Sequence, residues 1–353
     1  MNQVRKAELD RNLVVVSKVN RPGIVFYDAS DEPFRLYGLS YSDSGYCRVP
    51  REVAERVSAN VLEMHGYTAG GRIRFVTNSP YVAVHVKLKE VYTTPFMTYI
   101  ATHGFDVYSN DLFAGALIPP EDPNVTEYES LVNLGSREEK VITINLPLYT
   151  NVERLYIGLD EASSVSRAPD YTYECPIVFY GSSITHGCSA SRPGLTYESI
   201  ISRRFDTNYV NLGFGGSAKA EEAMAEYVAS LDARIFVYDY DYNAPTVKYL
   251  SETHQRMFRT YRASHPDTPI VMVSRPRSSR TEDNDARFAV IKATYDEARA
   301  SGDCNVYLID GIDFFTGLGN DWSIDRVHPN DHGFARMAKV IGDVIGDILA
   351  KSL

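Results

Sequence analysis

Residues 177–187 read IVFYGSSITHG. Two β-branched and two aromatic residues stop at a glycine, and two serines and a threonine follow. A short run that is apolar at every position suits a strand buried on both faces, as in a parallel sheet covered by helices. The polar turn after it has two readings on local grounds. It is a Ser/Thr start for the next helix, or it holds a hydroxyl nucleophile at the end of a strand.

The same grammar continues to the C-terminus. PIVFYG is followed by the amphipathic TYESIISRRF, NYVNLGF by AKAEEAMAEYVASL, and RIFVYDY by a helix-like segment near 246–264. PIVMVS precedes another near 284–300, and NVYLID precedes a last one near 331–350. Five buried strands alternating with helices predict an α/β fold with a five-stranded, doubly wound parallel sheet over residues 171–353. Before Ala168-Pro169 the pattern differs. FRLYGL, GRIRFVT, YVAVHVKL, TYIATHGFDVY, KVITINLPLY and VERLYIGL alternate or are β-branched, between Asn, Gly, Pro and Ser clusters. Residues 1–170 are therefore expected to form an antiparallel β-sandwich. Its one expected helix is REVAERVSANVLEMH, where Val53, Val57, Val61 and Met64 share a face.

A chain of 353 residues with 44% hydrophobic and 23% charged residues has ordinary globular composition and room for two cores. Its formal net charge of −10, with both signs interspersed, argues against nucleic acid and anionic membrane surfaces as partners. The N-terminal MNQVRKAELDRNLVVV places charges where a secretory signal needs an apolar core, so the expectation is a cytoplasmic protein without a membrane span. Cys47, Cys175, Cys188 and Cys304 show no CxxC pairing and read as free thiols. No His, Cys or carboxylate cluster has metal-ligand spacing, so neither a metal nor a cofactor is expected.

Ligands of open parallel sheets bind beyond the carboxyl ends of the strands. Here those ends are GSSITHG, NLGFGGSA and YDYDYNAP, with DWSIDRVHPNDHGF after the fifth strand. They supply a hydroxyl, a glycine-rich turn, an amide, and a carboxylate three residues before a histidine. Acyl transfer requires that set. Serine needs a neighbouring base, and His328 is the candidate because its ordinary pKa lies near neutrality. Asp325 can accept from the other ring nitrogen and orient it. The backbone N–H groups of Ser183 and Gly216 and the side-chain amide of Asn243 are candidate donors to an oxyanion. The strand-to-helix turn adds positive potential there.

Each element has a plainer reading beside this one. NLGFGGSA could cradle a phosphate, but it lacks the G-x-G-x-x-G phase and a Walker lysine. His186 reads as a structural or substrate-lining residue, and Trp322 as a sugar-stacking or packing residue. Asn330 and Asp331 read as caps of the last helix, while Asp239 and Asp241 compete less well than Asp325 as orienter because neither is tethered beside the histidine. The conjunction of four complementary strand ends favours chemistry over capping.

Those blocks, in order, resemble the SGNH (GDSL-type) hydrolase superfamily. The resemblance implies Ser183 as nucleophile, Gly216 and Asn243 as oxyanion donors beside the Ser183 N–H, and Asp325 and His328 as the rest of a triad. CSASRPGLTYESIISRRF, HPNDHGFARMA and GFDVY at residues 104–108 are similar to a subgroup with an N-terminal GxDLY-type sandwich. Asp241 stands where the glycine of GxND is usual, and Ala244 where its aspartate is. The resemblance implies an esterase with a three-layer α/β/α, flavodoxin-like domain, acting on small-molecule or oligosaccharide esters, acetylated ones foremost. An acyltransferase and a non-catalytic carbohydrate-binding protein are the alternatives. Arg192, His186 and Trp322 are the expected substrate contacts, and the sandwich is expected to supply part of the cleft or a homo-oligomer contact.

Overall fold

The computed structural model describes residues 18–42 and 44–351, so the charged N-terminal stretch lies outside the described residues. Five strands form one parallel sheet in the spatial order Thr207–Gly213, Tyr173–Gly181, Ile235–Asp239, Ile270–Val273 and Val306–Ile309. The chain thus enters beside one edge, steps outward to that edge, and then crosses back to build the rest. Strand order reverses around Tyr173–Gly181, the point where such sheets open a crevice.

The apolar run that opens that sheet works on both of its faces. Ile177 and Phe179 join an apolar cluster with the helices Tyr197–Phe205 and Asp331–Lys351, through Ile201, Phe334, Met337 and Ile341. Val178 and Tyr180 point the other way, to Met224, Val228, Leu250, Met257 and Ile291 on the helices Glu222–Ala229, Val247–Ser264 and Glu282–Ala300. Alternation along a strand with a layer on each side explains why every position in the run is apolar or aromatic. Burying each such side chain contributes about 1.5–3 kcal/mol.

The preceding residues form a two-stranded antiparallel sheet, Ser40–Ser42 with Gly45–Cys47, and two large ones. One has the order Ile24–Asp28, Val152–Asp160, Tyr81–Leu88 and Glu127–Asn133. The other runs Val165–Ser166, Arg72–Thr77, Lys140–Asn145, Phe105–Ser109 and Leu112–Leu117, with Arg35–Tyr37 also paired to Arg72–Thr77. Phe75, Val84, Ile142, Leu155 and Ile157 meet in a core of their own.

Local sequence misplaces two elements. The expected single helix is two, Arg51–Val57 and Ala59–Met64, because Ser58 is extended and its side chain accepts the Val61 N–H to begin a second helix. Val61 still packs on the far helical layer, so the apolar face is real and only its continuity fails. TYIATH, read as strand, is the helix Tyr99–His103. The Thr98 hydroxyl accepts the Ala101 N–H at its start.

Candidate active site

Ser183 is the first residue of the short helix Ser183–His186, directly beyond the strand that opens the sheet. Ser182 caps that helix: its hydroxyl accepts the Ile184 N–H at 3.2 Å, and its own N–H donates to the Asp239 carbonyl on the neighbouring strand at 3.2 Å. The two adjacent hydroxyls therefore differ in surroundings, Ser182 buried in the turn and Ser183 facing the cleft.

The Ser183 Oγ lies 2.9 Å from His328 Nε2, and His328 Nδ1 lies 2.7 Å from Asp325 Oδ2. Asp325 reaches the ring because its own turn is closed on itself, its Oδ1 accepting the N–H groups of Val327 at 2.9 Å and His328 at 2.7 Å. Arg326 between them takes the left-handed conformation, with φ of 71°. Partial burial works to raise the Asp325 pKa, but the N–H groups and the histidine ring outweigh it and hold the carboxyl below its usual range. Desolvation pulls the His328 pKa down. The Cys188 sulfur beside the ring and the Asp325 carboxylate together overcome that pull and raise it to about 9.

Gly216 and Asn243 line the same cleft as Ser183 and His328. Gly216 has φ of 70° and open space where a Cβ would lie, so its glycine is required by backbone conformation rather than crowding. Asn243 closes the turn Asp241–Asn243, and its Oδ1 accepts the Ala218 N–H at 3.2 Å. With the oxygen engaged, the amide nitrogen remains as the donor. The residue that replaces the usual glycine has its own function in this turn: Asp241 is buried, pairs with Arg287 at 3.2 Å and accepts the Arg275 N–H at 3.1 Å.

The three expected substrate contacts are elsewhere. Trp322 is 1% exposed and stacks on Phe315 with ring centroids 3.9 Å apart, so it packs beneath the Asp325 loop rather than in the cleft. Arg192 points to the sandwich, where it pairs with Asp106 at 2.7 Å. His186 is fully buried and stacked on Tyr149 at 3.9 Å. Its Nε2 lies 2.9 Å from the Leu148 carbonyl and therefore carries the proton, leaving Nδ1 to accept the Gly215 N–H at 3.4 Å. Burial and the nearby Arg48 cation keep this imidazole neutral. Proximity to a motif gives a lone residue no side-chain direction, and packing with distant segments sets it.

The sandwich is expected to supply part of the cleft, but the sequence reading does not single out the residues that form that opposite wall. The cleft of about 610 Å³ is closed by Tyr67, Tyr92, Phe96, Met97 and Tyr149, all from the sandwich part of the chain. Tyr92 and Phe96 are 43% and 46% exposed. The signal available was VYTTPFMTY, a proline-containing loop unusually rich in aromatic and thioether side chains. Among the described residues no helix is long and apolar enough to cross a membrane.

Comparison with known families matches residues 174–346 to the GDSL-like lipase/acylhydrolase family and residues 24–165 to the GxDLY N-terminal domain of SGNH-hydrolase-type esterases. Comparison with curated proteins gives no match. Among solved structures, a Bacteroides ovatus protein described as a GDSL-like lipase is 30% identical, with a TM-score of 0.82, covering 93% of this chain and 98% of that one. A salicylyl-acyltransferase from a tetracycline biosynthetic pathway is 20% identical with a TM-score of 0.74, covering 91% and 96% of the two chains. An acetyl xylan esterase from the rumen bacterium Butyrivibrio proteoclasticus is 12% identical with a TM-score of 0.63, covering 93% and 99%. The last two likenesses are of fold. With matches to both of its parts and a 30% identical relative of nearly the same extent, the chain belongs to the GDSL-like lipase/acylhydrolase family of SGNH hydrolases, in the group that carries a GxDLY sandwich in front.

Proposed function

We propose that the protein is a serine esterase that removes short acyl groups, acetyl foremost, from acetylated oligosaccharides. The observation that carries this reading is the continuous hydrogen-bonded line from Ser183 Oγ through His328 to Asp325, opening into a cleft. In this reading His328 takes the Ser183 proton as Oγ attacks the ester carbonyl. The N–H groups of Ser183 and Gly216 and the Asn243 amide receive the negative charge on the former carbonyl oxygen. Loss of one such donor typically costs about 2.7–4 kcal/mol of transition-state stabilisation. His328 then returns the proton to the leaving sugar oxygen, and the acyl group stays on Ser183. A water activated by the same imidazole releases it as a carboxylate.

The sandwich wall supports a ring-bearing substrate, because Tyr92 and Phe96, both well exposed, line the same cleft as Ser183 and offer it aromatic surface. Ser183→Ala should abolish hydrolysis of p-nitrophenyl acetate and labelling by a fluorophosphonate while leaving the folded state unchanged. Retained turnover would remove Ser183 from the mechanism. Deacetylation of xylo- and manno-oligosaccharides, followed by mass loss, tests the substrate class. The same aromatic wall favours a second reading, acyl transfer to a small-molecule acceptor, because it can seat an acceptor ring where hydrolysis needs only water. Transfer product exceeding free acid when an alcohol or sugar acceptor is added would select it.

A further inference from the structure

We infer that Asp106, on the sandwich strand Phe105–Ser109, is a positioning residue for the Ser183–His328 pair, acting through the 188–195 loop and Asp331. The inference rests on the proposed catalytic role of that pair. Asp106 is 0% exposed, and its carboxylate accepts three hydrogen bonds. Oδ1 accepts from Asn145 Nδ2 at 2.7 Å. Oδ2 accepts from the Arg192 guanidinium at 2.7 Å and from the Gly194 N–H at 2.8 Å. A buried carboxylate with three donors fixes all of them, since any partner displaced would leave a charge unpaired away from water. Arg192 is held further by donation to the Tyr108 hydroxyl at 2.7 Å and by lying 3.8 Å over the Phe113 ring. At Gly194 the loop backbone touches the strand so closely that a Cβ would sit 2.6 Å from the Tyr108 ring and 2.8 Å from Asp106 Oδ2.

The clamped loop reaches both members of the pair. At its start, the Cys188 N–H donates to the Ser183 carbonyl at 2.9 Å, closing the turn that presents the nucleophile. In its middle, Thr98 from the sandwich donates to the Ser191 carbonyl at 2.6 Å. The N–H and hydroxyl of Ser191 in turn donate to the two Asp331 oxygens at 2.8 and 2.6 Å. Asp331 opens the last helix only three residues after His328. Asn330 between them donates to the Asp321 carbonyl and accepts the Gly333 N–H, which ties the segment bearing His328 to the helix start that Ser191 holds through Asp331. One sandwich carboxylate therefore sets a loop that is bonded at one point to the serine turn and at another to the root of the histidine segment. Displacing such a pair by about 1 Å can cost roughly 100-fold in rate.

The test compares Asp106→Asn, Ser191→Ala and Ser191→Thr in the full chain, with p-nitrophenyl acetate kinetics expressed per site labelled to completion by a fluorophosphonate. Asp106→Asn should lower kcat per labelled site by about 10- to 100-fold with KM within about twofold, and slow the labelling rate in parallel. Ser191→Ala should lower kcat less, and Ser191→Thr, which keeps the hydroxyl, should restore it. The double variant Asp106→Asn/Ser191→Ala should lose little beyond Asp106→Asn alone, because both interrupt one path. Should Asp106→Asn not fold, the Ser191 pair decides. Unchanged kcat per labelled site, or a loss confined to the labelled fraction or to KM, would overturn the inference and leave Asp106 a purely structural residue. Absence of labelling in the unmodified protein is a different result: it refutes Ser183 as nucleophile, and the positioning role falls with it.

Discussion

Glu198→Gln should stabilise the protein, and by an amount that grows with pH. Glu198 lies on the helix Tyr197–Phe205 with 0% exposure, on the sheet face below the Ser182–Ser183 turn. Desolvation raises its pKa from 4.5 to about 8, and its own N–H and the hydroxyls of Thr196 and Tyr197 counter that only in part. The carboxyl of Asp239, at the end of the adjacent strand, is likewise pushed well up by burial, then by Asp241 and by Glu198 itself. An acid whose pKa is higher folded than unfolded binds more protons in the folded state across the interval between the two values. Stability is then fully retained below about 4.5 and is lost progressively up to about 8.

At about 1.36 kcal/mol per pKa unit the full loss from Glu198 approaches 4–5 kcal/mol, most of it, about 3–4 kcal/mol, falling between pH 5 and pH 8. Glutamine has the same shape and no charge at any pH, so the variant escapes this loss. Urea unfolding at pH 5, 6, 7 and 8 should show the two proteins diverging toward alkaline pH by about 3 kcal/mol, with equal dependence on denaturant. Parallel pH profiles would refute the reasoning, because they would mean that the folded protein ionises Glu198 as readily as the unfolded chain. Asp239→Asn should diverge in the same direction, since it removes a second acid held neutral in the same place.

Asp325→Asn should lower kcat about 10⁴-fold with little change in KM, because the amide can keep the backbone N–H bonds but presents a donor to His328 Nδ1; steady-state kinetics on an acetate ester reads it. In the proposed mechanism His328 must be neutral to act as base, so kcat/KM should climb with pH toward a limb near 9, and Cys188→Ala, which removes one group favouring the imidazolium, should move that limb to lower pH. His186→Phe keeps the stack on Tyr149 but strands the Leu148 carbonyl and frees the Gly215 N–H, so it should cost about 1–3 kcal/mol in unfolding free energy and also lower kcat through the oxyanion turn.

The α/β half could be read from sequence because its strands are buried on both faces, so apolar runs and turn residues repeat with the period of the fold. The same property marked Ser183, Gly216 and Asn243 as candidates just beyond apolar runs, whereas His328 lies in a loop well past the last strand and was marked by the carboxylate three residues before it. Side chains on the turns themselves were another matter. Arg192 follows Ser183 by nine residues, yet its guanidinium is drawn toward Asp106, 86 positions earlier, by a charge that only the folded chain brings near. Trp322 sits three residues from Asp325 and is claimed by Phe315. In the sandwich, half-exposed strands tolerate many residues per position, so LFAGAL and EYESLVN carry weak alternation although both are strands.

The two parts of the chain share more than a boundary. The sandwich has its own core, yet Tyr67, Ala69, Met97, Ala101, Leu148 and Tyr149 belong to the same apolar cluster as Ile177 and Phe334 of the α/β half. Two buried arginines fasten the same junction from the sandwich side. Arg48 donates to the Gly213 carbonyl at 2.6 Å, and Arg72 donates to Asn208 Oδ1 at 2.6 Å and to the Tyr209 carbonyl at 3.2 Å. Burial lowers the Arg48 pKa to about 9, a cost sustained only while the two parts stay docked. A junction with core-like packing and buried cations does not hinge freely. Met97 belongs to that shared cluster and Tyr92 stacks on Tyr149, so the 91–98 loop is anchored to the cleft, and substitutions in it can change what the cleft admits without touching the line from Ser183 to Asp325.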